Sequence, residues 1–179
     1  MSNLSETFKP LIDNVLSALG LKQTPEQVML NHLKKLQQLI DAYPTDKTAW
    51  LSKGIVLSDL KRYEEAIECY NEVLDLDPEN YDAWTKKGLA QFNLEKYDEC
   101  IVCFDKCLHH NLFNSSAWFN KGIALSRINR CDEALTLFDK MAIVNSDDPL
   151  VWLGKSTVFA GLGKFEEAEE CYVKAQLPL

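Results

Sequence analysis

Four tryptophans, Trp50, Trp84, Trp118 and Trp152, are separated by an unvarying 34 residues. Each stands in a near-copied segment: AWLSKG at 49–54, AWTKKG at 83–88, AWFNKG at 117–122 and VWLGKS at 151–156. Other positions keep the same step. Ala66, Cys100, Ala134 and Ala168 form one column, Tyr70, Phe104, Phe138 and Tyr172 a second, and Tyr63, Tyr97, Cys131 and Phe165 a third. Gly54, Gly88 and Gly122 form a fourth, which Ser156 completes less well. A fixed period of this length specifies a stack of like units, none of which buries its apolar face alone.

Within each period the spacing predicts two helices. The first starts near the tryptophan, as in TAWLSKGIVLSDL, where Trp50, Gly54 and Leu57 fall on one face. The second follows the short breaks KRY, EKY, NRC and GKF, and Ala66, Tyr70 and Val73 repeat the same spacing. A small residue opposite an aromatic one lets the two helices approach closely. Asp77–Pro78 ends the second helix of the first period, because proline breaks the helix ladder and restricts its predecessor.

This pattern resembles the tetratricopeptide repeat, W-x2-L-G-x2-Y…A-x3-F…P in 34 residues. Trp50, Gly54, Ala66, Tyr70 and Pro78 match it in the first period; Trp84, Gly88 and Phe104 in the second. Trp118, Gly122, Ala134 and Phe138 match in the third, and Trp152, Ala168 and Tyr172 in the fourth. The family's leucine is replaced by Lys53, Lys87, Lys121 and Lys155, and its first-helix tyrosine by Leu57, Gln91, Leu125 and Phe159. Cys100 stands for alanine, and Leu112 and Ser146 stand for proline. The resemblance implies an all-α fold, a right-handed superhelical α-solenoid of stacked antiparallel helix pairs. It divides the chain into repeats at 47–80, 81–114, 115–148 and 149–179, behind a divergent N-terminal helical hairpin over 1–46.

Both ends carry signals of their own. Thr24-Pro25-Glu26-Gln27 reads as a helix start, with Thr24 as cap. Val28, Leu33, Leu36 and Leu39 or Ile40 then form an apolar stripe. Phe8, Leu11, Ile12, Val15, Leu16 and Leu19 form another, which Gly20 can terminate. At the far end, Glu169 stands in the column of Ile67, Ile101 and Leu135, and Gln176 in that of Leu74, Leu108 and Ala142. A polar outer face is what a terminal repeat needs, so the array is expected to end near Leu179.

Charge and composition narrow the partner. The formal net charge is −8, which argues against nucleic acid, whose phosphates require clustered Lys and Arg. No apolar run approaches the ~20 residues of a membrane span. MSNLSETFKPLID lacks the basic-then-apolar order of a secretory signal, which points to a cytoplasmic protein with reduced thiols. Cys100, Cys103 and Cys107, followed by His109 and His110, suggest zinc ligands, but small buried residues account for these positions better. No metal or cofactor is therefore expected. The pairs Glu64-Glu65 and Glu166-Glu167 open second helices, where they complement the helix dipole. No nucleophile or phosphate-binding motif is present, so no catalytic activity is expected.

In the family, first helices line the concave surface. The resemblance therefore assigns Leu51, Ile55, Leu89, Phe92, Phe119, Ile123 and Leu153 to a binding groove, with Ser52, Thr85, Lys86, Asn120 and Arg127 as polar contacts. These apolar residues exceed what one core stripe needs; packing against neighbouring first helices is the alternative use for them. The groove lacks the Lys, Asn and Arg set with which some relatives grip a C-terminal carboxylate: Ser52, Ile55 and Ser116 occupy places that need amides or cations. The expected function is a non-catalytic interaction module or adaptor that binds a peptide or helical segment of a protein partner. A targeting subunit of an enzyme complex and a thiol or metal sensor are the alternatives. The lysine column is expected to pack its stems between first helices and to hold its ammonium groups in water.

Overall fold

The computed structural model describes residues 23–144 and 147–176, together with Val15, Leu19 and Gly20. Among these the chain forms nine helices and no strand: α1 Pro25–Ala42, α2 Lys47–Asp59, α3 Tyr63–Leu76, α4 Tyr81–Asn93, α5 Tyr97–His110, α6 Ser115–Arg127, α7 Cys131–Val144, α8 Pro149–Gly161 and α9 Phe165–Gln176. Each packs chiefly on the helices next to it in the chain, which gives a solenoid of helix pairs.

Helix ends follow local chemistry that recurs with the period. Asp46, Asn80 and Asn114 cap α2, α4 and α6, accepting from the backbone N–H of Thr48 at 2.9 Å, Ala83 at 3.0 Å and Ala117 at 3.0 Å. Asp148 caps α8 through Leu150 N–H at 2.9 Å. Thr24 caps α1 as read from the sequence, accepting from Gln27 N–H at 3.1 Å. The turn inside each pair is closed by a residue in the left-handed region: Lys61, Glu95, Asn129 and then Gly163, with φ of 59°, 60°, 61° and 74°. The following N–H reaches back five residues, as Arg62 does to Leu57 O at 2.9 Å, a Schellman closure.

The tryptophan column closes the turn between pairs. Trp50 donates its indole N–H to Pro44 O at 2.8 Å, Trp84 to Pro78 O at 2.9 Å and Trp118 to Leu112 O at 2.7 Å. The acceptor is a main-chain carbonyl, so Leu112 serves where the family keeps proline. The position matching Trp152 in this respect is Ser146, which lies outside the described residues. So do Phe8, Leu11, Ile12 and Leu16 of the first amphipathic stripe; Gly20 has φ +69°, in keeping with a helix terminator.

The core runs along the stack. Tyr70, Phe104 and Phe138 are at most 1 % exposed and fill the space left by small residues on the facing first helices. A β-carbon on Gly54 would fall 2.5 Å from the Tyr70 ring, and one on Gly122 would fall 2.3 Å from Phe138. Burying one such aromatic side chain contributes about 1.5–3 kcal/mol. Ser58 and the Tyr70 hydroxyl share a hydrogen bond at 3.0 Å, so that polar tip is paired.

Candidate partner-binding surface

The residues assigned to the groove lie on α2, α4, α6 and α8; Leu51, Thr85, Phe119 and Leu153 share one position of the period, Ser52, Lys86 and Asn120 a second, and Ile55, Leu89 and Ile123 a third, while Phe92 and Arg127 stand outside these columns. Leu51, Ser52 and Ile55 are half-buried, as are Thr85, Lys86, Leu89 and Phe92, and then Phe119 and Asn120. Arg127 is exposed, and Leu153 is 36 % exposed. Leu51 and Ile55 lean on the cluster around Leu57 and Tyr70; Leu89, Phe92 and Phe119 lean on the cluster around Phe104 and Phe138. Phe92 meets Tyr97 edge-on at 5.3 Å, and Phe119 lies tilted 6.5 Å from Phe138. These side chains thus pack on their neighbours with one flank and leave the other in water.

Ile123 departs from this arrangement. It is 8 % exposed and belongs to the core with Phe138, Val151 and Val158. The cause is the junction between the third and fourth pairs, where α8 packs directly on α6, far more than other successive first helices do on one another. Gly154 lets α8 close on the Phe138 ring of α7, where a β-carbon would fall 2.2 Å from the ring; Gly122 of α6 meets the same ring from the other side. The sequence signal for it was a glycine two residues before Ser156, outside the glycine column. Ile123 has little surface left to offer a partner.

The polar groups on these helices are partly spent. Thr85 donates to Tyr81 O at 2.8 Å and faces Cys107 Sγ at 3.3 Å. Asn120 donates to Ser116 O at 2.8 Å. Asn93 and Thr157, which sequence reasoning passed over, likewise bond back to Leu89 O and Leu153 O at 2.8 Å. Such back-bonds leave a surface that is apolar for its composition, with Lys86 and Arg127 as its assigned cations.

The lysine column packs its stems within the stack and pairs its ammonium groups with partners at the surface. Lys53 donates to Gln37 on α1 at 2.7 Å, while Lys121 pairs with Asp105 on α5 and Lys155 with Asp139 on α7. The Lys121 and Lys155 side chains are only 18 % and 16 % exposed. Lys53, Lys87 and Lys155 also lie 5.3, 5.2 and 5.3 Å from the centres of Trp50, Trp84 and Trp152. Each of the three ion or amide contacts ties a first helix to the second helix before it.

The cysteine cluster is dispersed among core contacts. Cys103 donates to Gln91, a buried amide standing where the family has tyrosine, at 3.0 Å. Burial pushes the Cys100 and Cys103 thiols up to about 12 and Cys69 up to about 11. Burial also raises Cys107, against the lowering effect of its Thr85 hydrogen bond. Thiolate is the nucleophile, so these buried environments disfavour a reactive redox thiol. Among the described residues no group of three His, Cys, Asp or Glu side chains is placed to hold a metal ion. His110 stacks on Tyr81 at 3.7 Å. Glu65 is held by Arg62 through two 2.6 Å bonds, and no described helix is long and apolar enough to cross a membrane.

Comparison with known proteins agrees with the period and the helix pairs. Two family models described as tetratricopeptide repeat match the chain, one over residues 48–80 and 81–112, the other over 119–176. No protein of curated function matches significantly by sequence. Among solved structures, MamA 41-end from Desulfovibrio magneticus RS-1 superposes with a TM-score of 0.73 at 15 % identity, covering 98 % of this chain and 94 % of that one. A crystal structure of MamA protein gives 0.72 at 17 % identity, with 100 % and 99 % covered. MamA AMB-1 gives 0.66 at 26 % identity, with 80 % and 78 % covered. With its four periods, its stacked helix pairs and repeat models spanning most of residues 48–176, the chain belongs to the tetratricopeptide repeat family.

Proposed function

We propose that the protein is a non-catalytic interaction module that receives a peptide or helical segment of a partner protein along its first helices. The observation that carries this reading is the row of apolar side chains along α2, α4, α6 and α8, with Leu51, Ile55, Leu89, Phe92 and Phe119 half-buried and Leu153 exposed; Leu51, Phe119 and Leu153 share one position of the period, and Ile55 and Leu89 another. The back-bonded Thr85, Asn93, Asn120 and Thr157 favour a partner with apolar anchors over one read by many hydrogen bonds. Because helices rather than loops carry the row, little ordering is required on binding. Repeat solenoids of this family act as scaffolds for protein contact, and a cytoplasmic location accords with the buried, unpaired thiols.

The test is photo-crosslinking from positions 120 and 153, compared with position 140 on the exposed side of α7. A partner segment crosslinked from 120 and from 153, with the crosslink from 120 lost in Leu153→Glu and the melting curve unchanged, supports the reading. Crosslinking from 140 alone refutes it.

A further inference from the structure

We infer that the outward face of α9 docks a basic amphipathic helix of a partner protein, with a cation of that helix seated on Glu169 between two apolar residues covering Phe165 and Tyr172. This surface is separate from the first-helix row. Phe165, Glu169, Tyr172 and Gln176 fall at i, i+4, i+7 and i+11 and share one stripe of α9. The same stripe occurs three times within the stack, as Tyr63, Ile67, Tyr70 and Leu74, as Tyr97, Ile101, Phe104 and Leu108, and as Cys131, Leu135, Phe138 and Ala142. There it packs against the first helices of its own pair and of the next, as Phe138 does between Gly122 and Gly154 and Leu74 does beside Ala83, and Tyr70, Phe104 and Phe138 are at most 1 % exposed.

On α9 the aromatic members are still present but stand in water, Phe165 at 72 % and Tyr172 at 49 % exposed. Nothing among the described residues covers them. The shape of a helix seat is therefore kept while its chemistry changes at two points. Glu169 puts a carboxylate in the middle of the stripe, where Ile67, Ile101 and Leu135 are apolar. Val173, 51 % exposed, stands where Asp105 and Asp139 accept the lysines of the next pair. A helix pair of this chain's own kind brings its lysine to Val173 and an apolar residue to Glu169, a double mismatch. A helix whose cation is displaced by one turn satisfies both.

Charge agrees with this occupant. Glu166, Glu169 and Glu170 line one concavity with Val173 and Lys174, and none of the three glutamates forms an ion pair among the described residues. The one cation of α9, Lys174, is turned onto the Trp152 ring at 4.8 Å. An acidic rim around two exposed aromatics favours a basic helix and repels an acidic one.

The test uses the whole chain and two crosslinked helical peptides, labelled for anisotropy and carrying Leu-Lys-Leu or Leu-Glu-Leu on one face at i, i+4 and i+7. Wild type is expected to bind the lysine peptide at least about tenfold tighter than the glutamate peptide, and Glu169→Lys to reverse that order. Phe165→Ser with Tyr172→Ser is expected to weaken both, whereas Leu153→Glu on the first-helix row changes neither. All four positions are exposed, so melting curves are expected to stay in place. Overturning results are no binding of either peptide, no preference between them, a preference that Glu169→Lys leaves intact, or a concentration-dependent dimer that Phe165→Ser abolishes.

Discussion

Phe138 occupies the space that a β-carbon on Gly154 would need: such an atom falls 2.2 Å from the ring. Gly122 meets the same ring from the other side, at 2.3 Å. One phenylalanine is thus held between the first helix of its own pair and that of the next, and it is wholly buried. Gly154→Ala is expected to destabilise the protein by about 1–3 kcal/mol through overpacking. Gly161→Ala, where an added carbon meets nothing within 4 Å, is expected to stabilise by up to about 1 kcal/mol through helix propensity. Urea unfolding of the two variants checks both signs.

The tryptophan column makes the same hydrogen bond in unequal surroundings. Trp118 is 8 % exposed, whereas Trp50 is only half-buried. Trp118→Ala is expected to cost about 3–5 kcal/mol and Trp50→Ala less. Trp118→Phe, which keeps most of the packing but leaves Leu112 O without its indole donor, is expected to cost about 1–2 kcal/mol. Equal midpoints for the two alanine variants would show that the stack does not bury its third period more deeply.

Stability is expected to fall in alkali. Cys100 and Cys103 ionise near 12 in the folded chain because they are buried, while unfolded thiols ionise near about 8.5. Above about pH 8.5 the unfolded state releases protons first, so stability is full below that value and declines as pH rises toward 12. Chemical unfolding from pH 7 to 10.5 measures the slope, which Cys100→Ala is expected to reduce. A thiol reagent at neutral pH is expected to label Cys100 only as fast as the protein opens.

The contact between Lys121 and Asp105 joins the third helix pair to the second. Asp105 is 53 % exposed, so solvent screens the pair. A double-mutant cycle with Lys121→Met and Asp105→Ala is expected to give a coupling of about 0.2–1 kcal/mol that shrinks in high salt. A coupling of zero would mean that the lysine acts through its stem alone, which methionine retains.

Glu95 holds the left-handed position of a turn at φ 60°, where the fourth pair has Gly163. Glu95→Gly is expected to raise the melting temperature, because removing the β-carbon relieves a strain of about 1 kcal/mol. Asn129→Gly is expected to do less, since asparagine tolerates that conformation better. Thermal melts of the two variants rank them.

The period, the pairing of helices and the identity of the core columns were legible in the residues. Trp50, Gly54, Ala66 and Tyr70 recur in phase, and in a stack whose units touch only their neighbours a local pattern dictates most of the packing. The cap at Thr24 and the stop at Asp77–Pro78 were equally local. What crosses from one pair to the next was not legible. The lysines reach back sixteen residues to Gln37, Asp105 and Asp139, a distance at which no helical periodicity operates. Ile123 has the pattern of a groove residue and the burial of a core residue, because α8 packs directly on α6 and brings Val151 and Val158 into the same core. A sequence pattern reports which face of a helix is apolar; how much of that face stays open depends on how closely the next helix approaches, and contacts between helices decide that.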